Sequence, residues 1–287
     1  MSVETVGVIG LGLIGGSMAK TVSMRAKCRV YGYDADAGVV ERAISEGVLA
    51  GPLEGHYDAV DMLIVALYPT DVVDIILKTA PKLKKGCIVI DCTGVKGTVC
   101  SSLSGKLADM GLAFIGGHPM AGKEVAGYDN ACTDMFDGAS MILCTDEFTD
   151  AKALREAEGF FPHLGFSQVK ITTPDVHDRV IAYTSQLAHI VSSSYIKSPT
   201  LEDRYGFSAG SFKDMTRVAK LNEEMWADLF LANEYPVLAE INELCAHLME
   251  YAAAISGKDR DALVRLLRNG RIRKEDDEAK ERSSGNS

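Results

Sequence analysis

No apolar run in this sequence approaches the roughly 20 residues needed to cross a bilayer, so no transmembrane span is expected. The start, MSVETVGVIG, lacks the basic opening and long apolar stretch of a secretory signal, and a cytoplasmic protein is expected. Positive charge is also short: 30 Lys and Arg stand against 40 Asp and Glu, a formal net charge of −10. The basic residues are scattered, which excludes the concentrated patch a nucleic-acid groove requires. The seven cysteines (Cys28, Cys87, Cys92, Cys100, Cys132, Cys144, Cys245) form no close pairs of metal-ligand spacing, and their odd number fits no disulfide framework. Reduced, mostly buried thiols and no metal site are expected. Tryptophan occurs once, at Trp226, where packing in a core is the ordinary role. What the 287 residues do offer is length for two ordinary domains and a sizeable core.

The most informative stretch comes first. After the apolar run Val6 to Ile9, GLGLIG spans Gly10, Leu11, Gly12, Leu13, Ile14 and Gly15 and opens a helix-compatible segment to Met24. In a dinucleotide-binding turn the first glycine allows the tight bend, the second a close approach of backbone to pyrophosphate, and the third close packing of helix on strand. The helix start then presents free N–H groups and the positive end of its dipole to the phosphates. Asp34 ends a second apolar run, Arg29 to Tyr33, 24 positions past Gly10, near the separation of about 20 expected of a ribose-binding acid. Its carboxylate would accept from a free 2′-hydroxyl and repel a 2′-phosphate, which favours NAD over NADP.

Further strands are expected at Val60 to Leu67, Cys87 to Asp91, Leu112 to Ile115, Ala139 to Cys144 and Ser167 to Ile171. Helical stretches lie between them, with one from Thr70 to about Leu83, one over Lys96 to Met110 and one over Asp150 to Leu164. The alternation predicts an α/β fold with a mostly parallel, doubly wound sheet. Beyond Thr172-Thr173-Pro174 only helices are read, which places a boundary near 172: a Rossmann-like domain over 1–172 and an all-helical domain over 173–270. Val176, Val180, Thr184, Leu187, Val191 and Tyr195 recur at spacings of three and four and predict one buried face. Pro236 should break or kink the helical segment from 222 to 255. Leu238, Ile241, Cys245, Leu248, Ala252 and Ile255 form a seam suited to a lengthwise helix partner, either within the chain or in a second subunit. Residues 271–287, charged and then rich in Ser and Gly, are expected to be disordered.

Three stretches carry groups suited to chemistry. Gly116-Gly117-His118-Pro119 follows a strand, at the sheet edge where open α/β folds bind ligands. His118 can take a hydroxyl proton as hydride leaves the same carbon, or simply hydrogen-bond a neighbouring loop. Glu124, downstream, would order the loop, border the entrance or stay solvated. Asp91 to Lys96 faces the same crevice, where Lys96 would either hold a substrate oxygen or mark a helix start, and Cys92 lies nearby as a reactive or a packing thiol. Asp214 and Arg217, three apart, suit either bidentate carboxylate binding or a plain surface pair.

Together and in this order, these stretches resemble the prephenate and arogenate dehydrogenase family of tyrosine biosynthesis. The resemblance runs from about Val6 to Leu248 through VGVIGLGLIGGSMAK, GGHPMAGKEVAGYDNA, His177-Asp178 followed by SQLAH, AGSFKDMTRVA and MWADLFLAN. It implies that His118 contacts the ring hydroxyl of prephenate, that Arg217 binds a substrate carboxylate, and that His189 lies on the helix facing the substrate. It implies an NAD-dependent oxidative decarboxylation giving 4-hydroxyphenylpyruvate, with arogenate as alternative substrate, and homodimers through the helical domain. No mutase segment precedes Val6 and little chain follows Gly270, so a single activity is expected. A non-catalytic nicotinamide-binding sensor is the competing class, and intact His118 and Arg217 argue against it. Two positions depart from the family pattern. Gly94 stands where many members carry serine, so a hydroxyl steadying the catalytic histidine is absent or must come from Thr93. Gln186 replaces a histidine in the family's Ser-His-Leu-Pro-His.

Overall fold

The computed structural model describes residues 3–123 and 125–284, so Glu124 lies outside the described residues. Eight strands form one sheet: β1 (Thr5–Ile9), β2 (Arg29–Tyr33), β3 (Gly51–Pro52), β4 (Met62–Val65), β5 (Ile88–Asp91), β6 (Ala113–Pro119), β7 (Ser140–Cys144) and β8 (Gln168–Thr172), in the order β3-β2-β1-β4-β5-β6-β7-β8. The first six run parallel because a helix or long crossover returns the chain each time. Among the described residues between β6 and β7 the only regular element is a short 3₁₀ turn, Tyr128–Asn130, and β7 accordingly pairs antiparallel, with Gly116 opposite Cys144; β8 then pairs parallel to β7. The chain order reverses between β1 and β4, which opens the crevice where such sheets bind ligands.

Helices cover both faces. On one, α1 (Leu13–Thr21), α2 (Ala37–Ser45) and α5 (Ala151–Phe160) bury Met18, Ala43 and Phe160 against Val6, Val8, Ile64 and Ile90. On the other, α3 (Pro69–Thr79) and α4 (Gly97–Asp109) bury Val72, Ile76, Leu103 and Leu107 against Leu63, Val65 and Val89. The strand residues alternate between the two layers, as a fully covered parallel sheet requires. Pro69, without an N–H to lose, occupies the first turn of α3, one residue before the expected start at Thr70.

From Thr173, whose hydroxyl accepts from Val176 N, the chain is helical: α6 (Pro174–Ile181), a π-helical turn (Ala182–Gln186) and α7 (Leu187–Tyr195) in one run, then α8 (Gly210–Thr216), α9 (Glu223–Ala232), α10 (Glu234–Ser256) and α11 (Arg260–Ser284). The face expected to be buried on α6 and α7 is largely not: Val176, Val180 and Tyr195 are 39%, 46% and 50% exposed. The buried positions are instead His177, Asp178, Ile181, Ala182, Gln186 and Ser192. His177, Asp178 and Gln186 fill that face because other elements supply their hydrogen-bond partners, whereas the Ser192 hydroxyl is buried without one among the described residues; the π turn shifts the phase that a 3.6-residue count assumes. The helical break precedes Pro236: α9 ends at Ala232 with Asn233 as its cap, and the proline sits in the first turn of α10.

By packing, the chain divides into two compact units, Met1–Val237 and Leu238–Ser287, so the helices up to Val237 cluster with the sheet. The expected disordered tail is helical through Ser284, with Arg271 paired to Glu275 and Lys274 to Glu278 one turn apart; residues 285–287 lie outside the described residues. Among the described residues no helix is long and apolar enough to cross a membrane.

Candidate active site

The glycine turn takes the form its spacing requires. Gly10 has φ of +84° and a Cβ there would lie 2.4 Å from the Ala66 carbonyl, while one on Gly15 would lie 1.7 Å from the Gly10 carbonyl. At Gly12 an added Cβ meets nothing within 4 Å. This open side faces the start of α1, whose N-cap is Gly12 with no side-chain cap, so the first-turn N–H groups of Leu13 and Ile14 are available to an anion. Asp34 Oδ2 accepts from Leu11 N at 2.7 Å and Oδ1 from Asp36 N at 3.0 Å, which ties the acid at the end of β2 to the turn and leaves further lone pairs on both oxygens. The geometry fits a dinucleotide: an open backbone cradle, a helix start and a carboxylate one strand over.

Beside it, the β5 and β6 ends are locked by a buried ion pair. Asp91 and Lys96 are both 0% exposed, and the Lys96 ammonium donates to Asp91, to Thr93 Oγ1 at 3.1 Å and to the Gly117 carbonyl at 2.6 Å. Its three protons are thereby engaged. Lys96 is the N-cap of α4 and braces the loop; the expectation that it holds a substrate oxygen is corrected, because it has neither exposure nor a spare donor. Thr93 is corrected likewise: its hydroxyl is buried between Asp91 and Val95 O and accepts from Lys96, with no bond to His118. Burial pushes the Cys92 thiol up to about 12, so at neutral pH it is a packing thiol.

His118 sits in β6 with its ring partly open. Burial first, then the neighbouring His177 and Lys96, hold it well below the ordinary imidazole range, so it is neutral near pH 7. Its Nδ1 lies 2.9 Å from His177 Nε2, and His177 Nδ1 lies 2.7 Å from Asp178 Oδ1. Asp178 also accepts from the backbone of Lys96 and Gly97 at 2.8 and 2.7 Å, which docks α6 onto the start of α4. Nε2 faces Gly94: a Cβ there would lie 3.9 Å from Nε2 and 3.1 Å from Leu229 Cδ2 of α9.

In the helical segment, Gln186 is 1% exposed, its amide donating to the Leu229 carbonyl at 3.0 Å and accepting from Asn233 Nδ2 at 2.6 Å. It therefore cannot replace a substrate-contacting imidazole; it ties the π turn to α9. One turn on, His189 bonds through Nδ1 to the Ser185 carbonyl at 2.9 Å and stacks on Trp226 with ring centroids 3.8 Å apart, so Nε2 is the nitrogen left for a ligand. Trp226 is thus a half-buried platform, not a core residue. Arg217 is exposed on a 3₁₀ turn, Arg217–Ala219, that packs against α7, the helix bearing His189. Residue-level reading gave His177, Asp178 and Asn233 no role; the adjacent His-Asp pair in the first turns of a helix was the available signal.

Comparison with known proteins gives a consistent result. Residues 18–170 match the family described as prephenate dehydrogenase, nucleotide-binding domain, and residues 173–269 match prephenate dehydrogenase, dimerization domain. The chain is 32% identical over 273 residues to a cyclohexadienyl dehydrogenase of Zymomonas mobilis, covering 90% of this chain and 91% of that protein. It is 26% identical to a prephenate dehydrogenase of Bacillus subtilis, covering 93% of this chain and 74% of the relative. A prephenate dehydrogenase from Aquifex aeolicus, crystallised with hydroxyphenyl propionate and NAD+, superposes with a TM-score of 0.85 at 27% identity, covering 96% of this chain and 99% of that one.

Proposed function

Because the chain belongs to the prephenate dehydrogenase family, and is an oxidoreductase of that family, we propose that it catalyses the NAD-dependent oxidative decarboxylation of prephenate to 4-hydroxyphenylpyruvate. The observation that carries the reading is His118, a neutral imidazole at the carboxyl end of β6 with Nδ1 bonded to His177 and Nε2 turned toward Gly94, where no side chain intervenes. When bound, NAD supplies the hydride acceptor. The Gly10 to Gly15 turn and the α1 start would hold its pyrophosphate, and Asp34 its ribose. His118 accepts the ring hydroxyl proton at Nε2, which lets electrons move from the carbinol oxygen as hydride departs. Arg217 holds a substrate carboxylate and His189 Nε2, braced by Trp226, contacts the substrate. Carbon dioxide leaves as the ring becomes aromatic, which provides the driving force, so the chain need not activate the carboxylate strongly.

Arogenate is the second reading: the name of the Zymomonas relative speaks of a cyclohexadienyl substrate, a description that fits both compounds. Steady-state kcat/KM on both compounds with NAD separates the two. Prephenate should be used at least about tenfold better, a difference of roughly 1.4 kcal/mol in transition-state binding. A reversed preference replaces the substrate, and no turnover of either removes the reading.

Cofactor choice makes a further prediction. Asp34→Ser should raise the KM for NAD by about ten- to a hundredfold, the loss of one or two charge-assisted hydrogen bonds, and should relatively favour NADP. A wild-type enzyme that already prefers NADP would show that Asp34 does not select the cofactor.

We assign residues 173–270 to substrate binding and to homodimer formation. Along the Leu238 to Ile255 seam, Leu238, Leu248 and Ile255 are 47%, 58% and 63% exposed, and a second copy about a twofold axis would cover them. Light scattering should give about twice the chain mass. Ile241→Glu with Leu248→Glu, which places uncompensated charges in that seam, should give monomer or aggregate. A monomeric wild type at micromolar concentration ends the dimer argument.

A further inference from the structure

We infer that His177 and Asp178 are positioning residues that fix the tautomer of His118, making Nε2 and not Nδ1 its proton-accepting atom. The inference rests on the reading of His118 as the base and concerns how this chain holds that base. The chain of hydrogen bonds has a definite direction when His177 carries one ring proton. Asp178 accepts from Lys96 N and His177 Nδ1 at Oδ1 and from Gly97 N at Oδ2. A carboxylate offers only lone pairs, so His177 Nδ1 carries a hydrogen. With a single ring proton, at Nδ1, His177 has its lone pair at Nε2, and His118 Nδ1, 2.9 Å away, donates into it; a second proton on His177 would reverse that bond and leave His118 bare at Nδ1. With His177 singly protonated, His118 is left with a bare Nε2.

Two features make this arrangement decisive in this chain. The hydroxyl that might steady the ring from the other side is missing, because position 94 is glycine and Thr93 is turned to Asp91 and Val95. Among the described residues, the hydrogen bond that holds His118 comes from the Nδ1 side alone. The supporting pair is itself fixed: His177 is 2% and Asp178 7% exposed, and the Asp178 carbonyl accepts from Asn233 Nδ2 at 2.8 Å, the same amide that binds Gln186. The charged groups nearby, Lys96 and Asp91, neutralise one another. When Nε2 takes a proton, the resulting imidazolium keeps Nδ1–H on a path that ends at a carboxylate, so its charge is stabilised without the ring turning.

Nitrogen-15 NMR of the whole protein with labelled histidine reads this directly. Wild type should show His118 protonated at Nδ1 and bare at Nε2. His177→Phe removes the acceptor: Nε2–H should become populated, and kcat should fall by about ten- to a thousandfold while KM stays within about threefold, a smaller loss than a fixed wrong tautomer causes in a triad. His177→Gln, whose side-chain oxygen can accept the same bond, should restore the Nδ1–H form and most of kcat. A wild-type His118 bare at Nδ1, a folded Phe variant with kcat within about threefold of wild type, or a folded Gln variant no better than a folded Phe variant overturns the inference. The wild-type spectrum decides the tautomer if the Phe variant does not fold, and it does so whichever substrate the enzyme uses.

Discussion

His118→Asn leaves a folded, NAD-binding protein whose turnover falls by about two to four orders of magnitude, the usual reach of general acid–base catalysis. Asparagine is the informative replacement. Its amide can occupy the Nδ1 side of the ring and keep a donor on His177, while nothing remains where Nε2 was. The loss corresponds to roughly 3 to 5 kcal/mol of barrier. The wild-type pH profile carries the companion expectation. Burial, His177 and Lys96 disfavour the imidazolium, so the base stays neutral as pH falls through the ordinary imidazole range. The acid limb of kcat/KM, which reports the free enzyme, should lie below that range. A folded asparagine variant with near-normal turnover removes His118 from the mechanism, and an acid limb centred at the ordinary imidazole value means that its surroundings do not lower its pKa.

Lys96→Met should cost about 3 to 5 kcal/mol of stability, because it strands the fully buried Asp91 carboxylate. Urea unfolding should show a much lower midpoint, or the protein should accumulate insoluble. Adding Asp91→Asn removes the stranded charge but keeps one acceptor oxygen, for the Thr93 or the Gly117 amide and not for both, and should recover part of the loss. A Lys96→Met protein of unchanged stability whose only defect is a raised KM would return Lys96 to the substrate.

The sheet was legible in the sequence because strands buried on both faces read as continuous apolar runs between helix and turn signals, as at Val6 to Ile9 and Cys87 to Asp91. The glycine turn was legible because steric demands at Gly10 and Gly15 leave few alternatives to glycine. The direction of β7 was not, since it depends on the absence of a crossover helix after β6 and not on any residue within the strand. The face of α6 and α7 was misread for two physical reasons: the π turn at Ala182–Gln186 shifts the phase of the periodicity, and the buried face is polar. Burial of His177, Asp178 and Gln186 is made tolerable by partners brought from His118, Lys96, Gly97, Leu229 and Asn233, residues 43 to 82 positions away in the chain. Lys96 was ambiguous for the same reason. A lysine at a helix start looks alike whether its ammonium reaches a ligand or turns back into the core, and only the position of Asp91 and the Gly117 carbonyl decides.

The most direct test of the central claim is to incubate the purified protein with prephenate and NAD and to follow NADH by absorbance together with release of carbon dioxide and 4-hydroxyphenylpyruvate. All three should accumulate in equal amounts, and none should form when either reactant is omitted. NADH without carbon dioxide, or no NADH at all from a folded protein, would contradict the claim.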